Sequence, residues 1–243
     1  MASFVLVHGG GHGGWCWSRV APLLRAAGHE VYTPTLTGLG ERSHLVSADT
    51  DLDTHIADVV GVLEFEDLTN VIVVGHSYGG MVITGVADRA LSRVGHLVFL
   101  DASHPRDGES LAATSPALME FARKSSRMVD GVELVLWPSR EIVDIMGVVR
   151  PEDVVWLAAK LTPHPWKCFE QPLRLADEAA VRRIPFTSIN ASWSRKVRPP
   201  ESARRASEGE RVWEIDGGHD LMITEPAAVA EMLLRVAAIV PGA

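Results

Sequence analysis

Hydrophobic positions along this chain fall into two kinds of run. Six short runs are nearly unbroken and mostly rich in β-branched residues: 4–7, 30–33, 71–74, 97–100, 186–189 and 212–215. A strand apolar on both faces is buried on both, as in a parallel sheet covered by helices. Longer stretches with helical periodicity separate these runs, at 15–27, 52–63, 77–91 and 226–239. In the last of them Val229, Met232, Leu233 and Val236 recur at the spacing of one helix face. Strand and helix in alternation predict an α/β fold, with a mostly parallel sheet of about six strands, right-handed crossovers and helices on both faces.

The alternation fails between about 105 and 183. Helix-like pieces occur at 111–124, 139–146 and 151–161, but no run reads as a central strand. The expected organisation is one domain over 1–243. Its core comprises about 1–104 and 184–243, and a helical cap over about 105–183 is inserted above the carboxyl edge of the sheet, where open parallel sheets hold ligands.

Composition narrows the class of function. The chain has 243 residues and a formal charge of −8. That balance argues against a partner that is nucleic acid, which calls for a basic face. The short basic clusters at Arg182-Arg183 and Arg195–Arg205 are mixed with Pro, Ser and Glu and read as solvated surface. No apolar run reaches membrane-spanning length, and no basic region precedes the short apolar stretch after Met1, so a cytoplasmic protein without a signal peptide is expected. The cysteines, Cys16 and Cys168, have neither a disulfide framework nor metal-ligand spacing. A homodimer is suggested only by the general frequency of symmetric dimers.

Candidate chemistry begins at Gly75-His76-Ser77-Tyr78-Gly79-Gly80. The bare G-x-S-x-G pattern is common, but here a buried-strand pattern runs into it and a helical pattern leaves it. A nucleophile elbow requires that setting: a sharp strand-to-helix turn that lifts the serine hydroxyl off the sheet edge. The first strand ends in His8-Gly9-Gly10-Gly11-His12-Gly13-Gly14. Glycines there let backbone N–H groups approach a developing oxyanion closely. A dinucleotide-binding reading fails because the next strand ends in Thr33-Pro34-Thr35, with no acidic residue. A zinc site at His8 and His12 lacks helical context and a general-base glutamate. Ser77 needs a base that titrates near neutrality, which means histidine. Of the ten histidines, His219 follows the last strand, in Asp216-Gly217-Gly218-His219-Asp220. His29, His44, His55, His96 and His164 read as structural or exposed.

These segments, with Phe4-Val-Leu-Val-His-Gly, Gly13-Gly-Trp-Cys-Trp and Thr224-Glu225-Pro226, resemble the plant methylesterase and hydroxynitrile lyase branch of the α/β-hydrolases and its bacterial esterase relatives. The resemblance covers the core on both sides of the insertion and is thin across it. It implies the α/β-hydrolase fold, Ser77 as nucleophile, His219 as general base, and an oxyanion hole from the N–H groups of Gly10 and Tyr78. It also implies acyl transfer to water without metal or organic cofactor. The lyases carry threonine and lysine where this chain has Gly9 and Asp220, which disfavours cyanide chemistry. The branch's usual acid position falls in Ile189-Asn190-Ala191-Ser192-Trp193, which has no carboxylate. Some relatives carry the acid after the strand that follows the nucleophile helix, where this chain has Asp101. Asp101 is therefore the expected third member, with Glu201, Asp216 and an acid-free dyad as alternatives.

The expected substrate is a small ester, carbamate or activated amide with an apolar or aromatic portion. Gly11, His104, Phe121, Trp137 and Trp156 are candidate pocket residues. A ligand-binding receptor or disabled enzyme on the same fold, or a lyase, is the alternative.

Overall fold

The computed structural model describes residues 1–136 and 146–240. Its strands are β1 (Ser3–Val7), β2 (Glu30–Tyr32), β3 (Val71–His76), β4 (Val94–Leu100), β5 (Ser126–Val129), β6 (Val132–Val135), β7 (His164–Pro165), β8 (Phe186–Ala191) and β9 (Arg211–Ile215). Six of them form one parallel sheet in the order β2-β1-β3-β4-β8-β9. Each of the six apolar runs lies within or overlaps one of these strands.

Side chains alternate across a strand, so a run apolar at every position feeds two cores. Val5, Val7, Val71, Val73, Leu97 and Phe99 face one core, beneath α2 (Leu52–Phe65) and α3 (Gly79–Arg89). Phe4, Leu6, Ile72, Val74, Val98 and Leu100 face the other, beneath α1 (Ala21–Ala26) and the C-terminal helix Pro226–Ala237. The chain lays β2 on one side of β1 and β3 on the other. The sheet's switch point therefore falls between β1 and β3, where a crevice opens at the strands' carboxyl ends.

The segment inserted between β4 and β8 is more mixed than its pattern suggested. The expected helix at 111–124 is split at Ser115 into α4 (Leu111–Thr114) and α5 (Pro116–Lys124), because Pro116 can open a helix but not continue one. The next helix among the described residues, α6, is Pro151–Ala158. The expected helix at 139–146 lies almost wholly outside the described residues. An antiparallel sheet of β5, β6 and β7, which the sequence pattern did not suggest, adds a second layer. Two backbone hydrogen bonds tie the insertion to the core's loops. Thr162 N–H donates to the Gly11 carbonyl at 2.9 Å, and His219 N–H donates to the Met146 carbonyl at 2.7 Å. Among the described residues, no helix is long and apolar enough to cross a membrane.

Candidate active site

Strand register brings the predicted nucleophile and acid together. His76 of β3 pairs with Leu100 of β4, and Leu100 pairs with Ile189 of β8. The residues that follow, Ser77 and Asp101, therefore leave adjacent strand ends side by side. Both have positive φ, +54° at Ser77 and +45° at Asp101. Such backbone costs about 1–3 kcal/mol per residue and persists only where its surroundings enforce it. At Ser77 the enforcement is steric and polar. Its N–H donates to the Leu100 carbonyl and its carbonyl accepts from Ser103 N–H at 3.1 Å. A side chain at Gly75 would lie 2.6 Å from the Gly79 carbonyl, and one at Gly80 only 2.0 Å from the Ser103 carbonyl. The turn thus closes only with glycine on both sides of the serine.

His219 arrives from the loop after β9. Its Nδ1 lies 2.5 Å from Asp101 Oδ2. A carboxylate can only accept, so Nδ1 carries the proton and Nε2 of the neutral ring keeps its lone pair. Asp101 is fully buried and accepts three further hydrogen bonds. These come from Ser194 Oγ at 2.5 Å, Arg198 Nη2 at 2.8 Å and Ala191 N–H at 3.1 Å. Burial alone would raise this carboxyl, but the His219 hydrogen bond and charge, with Arg198 and Ser194, hold it down to about 2. Burial likewise pulls the His219 imidazole down, yet the Asp101 hydrogen bond and charge, helped by Asp220, leave it above its ordinary value. Neither alternative acid bonds His219, although Glu201 lines the same cavity as Ser77. Glu201 bonds Arg204 and Arg205 on the exposed helix Pro200–Ala206, and Asp216 accepts from Ser192 Oγ at 2.7 Å in an exposed contact.

Ser77, His219 and Asp101 line one cavity of about 670 Å³. Gly10 and Tyr78 line it too, and among the described residues neither of their N–H groups donates to a backbone acceptor. The remaining wall is largely apolar; about half of it comes from the insertion, including Leu111, Leu118, Met119, Phe121, Met146 and Phe169, and the rest from the segments after β4 and β8. Two other candidates from the sequence fall at this wall, Phe121 and His104; the His104 ring stacks on Phe99 at 4.1 Å. Two do not. Gly11 turns its N–H to His164 Nδ1 at 3.1 Å, and Trp156 packs edge-on against Trp15 at 5.1 Å beneath Arg19. Trp137 lies outside the described residues.

The sequence reading also passed over what stands behind the site. His8, His12, His55, His76 and His164 are all buried around the glycine loop and the elbow. Two groups there have metal-ligand spacing, His55-His164-Cys168 and His76-His219-Asp220. Hydrogen bonding already accounts for several of their nitrogens. His55 Nδ1 meets Tyr78 Oη at 2.9 Å, its Nε2 donates to the Thr37 carbonyl at 2.9 Å, and His76 Nε2 donates to the His219 carbonyl at 3.0 Å. Single histidines gave no signal of this; only their convergence on β1 and the elbow does.

Comparison with known proteins agrees with the fold. The model of the alpha/beta hydrolase family matches residues 4–232. A carbendazim-hydrolysing esterase from Nocardioides sp. (strain SG-4G) is 37% identical over 245 residues, which cover 96% of this chain and 98% of that protein. An extracellular alpha/beta-hydrolase from a Paenibacillus species superimposes with a TM-score of 0.82 at 25% identity, covering 97% of this chain and 98% of the other. The methylesterase MES16 from Arabidopsis shares the fold, with a TM-score of 0.76 at 23% identity over 98% of this chain and 99% of its own.

Proposed function

Since the chain belongs to the alpha/beta hydrolase family and is a hydrolase of the esterase type, we propose that it cleaves a small ester or carbamate with an aromatic or apolar portion, through Ser77, His219 and Asp101. The observation that carries this reading is the 2.5 Å contact between His219 Nδ1 and the buried Asp101 carboxylate, in the wall of the same cavity that Ser77 lines. With Nδ1 protonated, Nε2 is the atom free to take the serine proton.

In the proposed sequence, Ser77 Oγ attacks the carbonyl carbon as its proton passes to His219 Nε2. The Gly10 and Tyr78 N–H groups receive the negative charge on the carbonyl oxygen. Collapse of this intermediate expels the alcohol, which leaves with the proton from His219. Water, deprotonated by the same ring, then discharges the acyl- or carbamoyl-serine. Asp101 stabilises the imidazolium formed in both steps.

Substrate choice rests with the insertion, which acts as a cap. Its Leu, Met and Phe side chains make a wall suited to a flat apolar group. The relative that hydrolyses carbendazim supports including carbamates of aromatic heterocycles in the substrate class.

The test is hydrolysis of carbendazim, aryl carbamates and p-nitrophenyl and methyl aryl esters by wild type and Ser77→Ala. Turnover by wild type, reduced at least about a thousandfold in Ser77→Ala, is expected. Equal turnover by the variant would remove Ser77 from the mechanism.

A further inference from the structure

His219 stands among buried carboxylates. Asp101 Oδ2 lies 2.5 Å from its Nδ1, and its chain neighbour Asp220 is completely buried. Burial works against the charged ring, but the Asp101 hydrogen bond and charge, with Asp220, outweigh it. A ring held protonated has no lone pair for the serine proton. The contacts that orient this base therefore also work to disable it unless a cation offsets them.

Arg198 has the position for that task. Its side chain is only 14% exposed, and its Nη2 donates at 2.8 Å to Asp101 Oδ1, the carboxylate oxygen that His219 does not use. Its Nη1 donates to Asn190 Oδ1 at 2.9 Å, and Asn190 Nδ2 donates in turn to the Ala206 carbonyl at 2.9 Å. The main chain is held as well, since Arg198 N–H donates to the Ser194 carbonyl at 2.9 Å while Ser194 Oγ donates to Asp101 Oδ2. One planar guanidinium thus serves two fixed acceptors as a fork, which a lysine ammonium does not reproduce. We propose that Arg198 is a positioning residue of the active site: paired with Asp101, it offsets the carboxylates around His219 and keeps that ring a neutral base near neutrality.

The segment after β8 gains a role from this. Residues 189–193 hold no carboxylate. The segment instead turns three donors, Ala191 N–H, Ser194 and Arg198, onto the acid at the end of the neighbouring strand β4. Asp101 keeps its orientation through His219, Ser194 and Ala191 even without Arg198. What Arg198 alone adds to that set is charge.

Other ionisable groups face His219 and Arg198 from each side. From β3, the His76 ring lies 4.7 Å from that of His219, and burial first, then the charge of His219, pull it down to about 3. From the segment after β4, His104 faces Arg198, and burial first, then the Arg198 charge, pull it down to about 3. The glycine loop brings His12 Nε2 to 3.4 Å from Asp220 Oδ2. Glu201 and Arg205, in the cavity wall, bond each other. From the insertion, the uncharged Met146 carbonyl accepts His219 N–H. Arg198 differs from the histidines of this set in carrying a charge that does not depend on pH.

This inference rests on the serine-hydrolase reading for its consequence in turnover, so one arm of its test needs no turnover. Arg198→Gln removes the charge and leaves an amide donor, whereas Arg198→Lys keeps the charge. The His219 midpoint is read by NMR of carbon-13-labelled histidine, assigned by its loss in His219→Gln. The acid limb of kcat/KM is read on p-nitrophenyl butyrate. In Arg198→Gln both midpoints should rise by about one pH unit, with KM within about twofold of wild type. In Arg198→Lys they should return to within about 0.3 unit of wild type. Midpoints unmoved in Arg198→Gln overturn the proposal. With a raised KM that result makes Arg198 a substrate contact, and with kcat lowered equally at every pH it leaves a structural role alone. Should the variants fail to fold, wild type decides: its His219 is expected to be neutral above about pH 8, and a ring still protonated there overturns the proposal. Full activity in Ser77→Ala would remove the hydrolase reading and leave the NMR midpoints to judge Arg198.

Discussion

Asp101 is the residue on which the proposed chemistry turns. Its four hydrogen bonds hold it ionised and fix one tautomer of His219. In Asp101→Asn the amide can present its NH2 to Nδ1, which moves the ring proton to Nε2 and removes the base. A loss of about 10³–10⁴ in kcat/KM is expected, with the protein folded by circular dichroism. Full activity with an unaltered pH profile would exclude Asp101 from the triad. The same contact sets the pH dependence of wild type. His219 must be neutral to accept a proton, and its ring titrates above its ordinary value of 6.5, so activity should fall as pH drops through a midpoint above 6.5. At this scale Ser77, His219 and Asp101 were legible because each follows a recognisable strand. Ser194 and Arg198 were not, since nothing in their local sequence points to a carboxylate about ninety residues away.

The turn from β3 into α3 is the element where sequence, sterics and function meet most tightly. Gly80 lies against the backbone of Ser103, and an added Cβ would come within 2.0 Å of that carbonyl. Backbone cannot step aside as a side-chain tip can, so Gly80→Ala should cost several kcal/mol or give no folded protein. Gly61, inside α2, has nothing within 4 Å of an added Cβ. Gly61→Ala should therefore stabilise by about 0.5–1 kcal/mol, since glycine is the poorer helix former. Urea denaturation of the two variants checks the contrast, and similar midpoints would show that the elbow is less constrained than its geometry indicates. The central strands β1, β3 and β4 were legible because burial on both faces leaves no polar position in the runs 4–7, 71–74 and 97–100. The sheet of β5, β6 and β7 was not, because its strands have two to four residues and β5 is largely exposed. Such short pairings are set by tertiary contacts and leave no period to read.

Across the whole molecule, the buried histidines make folding itself sensitive to acid. Burial pulls His8, His76 and His104 down to about 3 and His96 to about 4, and it also lowers His55 and His164. In the unfolded chain each takes up a proton near 6.5, so below that pH the unfolded state binds more protons than the native one. Stability must then fall as pH drops from about 6.5, by about 1.4 kcal/mol per pH unit for each fully shifted histidine, until the folded values are reached. His219 works in the opposite sense: its raised value adds stability that is fully present below 6.5 and lost as pH rises through the folded value. It is one group against six. The depressed carboxyls, Asp101 and Asp220 at about 2, contribute stability that is lost only as pH falls from about 4 toward 2. By pH 5 the histidines His8 and His76 alone remove roughly 4 kcal/mol, against a net stability of typically 5–15 kcal/mol for a folded domain. Urea denaturation between pH 8 and pH 5 should show the unfolding free energy falling ever more steeply below about 6.5, with the native state lost before the carboxylates titrate. An unfolding free energy that stays level from pH 7 to pH 5 would mean that these histidines are already protonated in the folded protein. In that case the neutral His8 that bonds the Gly9 carbonyl and the neutral His76 that bonds the His219 carbonyl could not be as described.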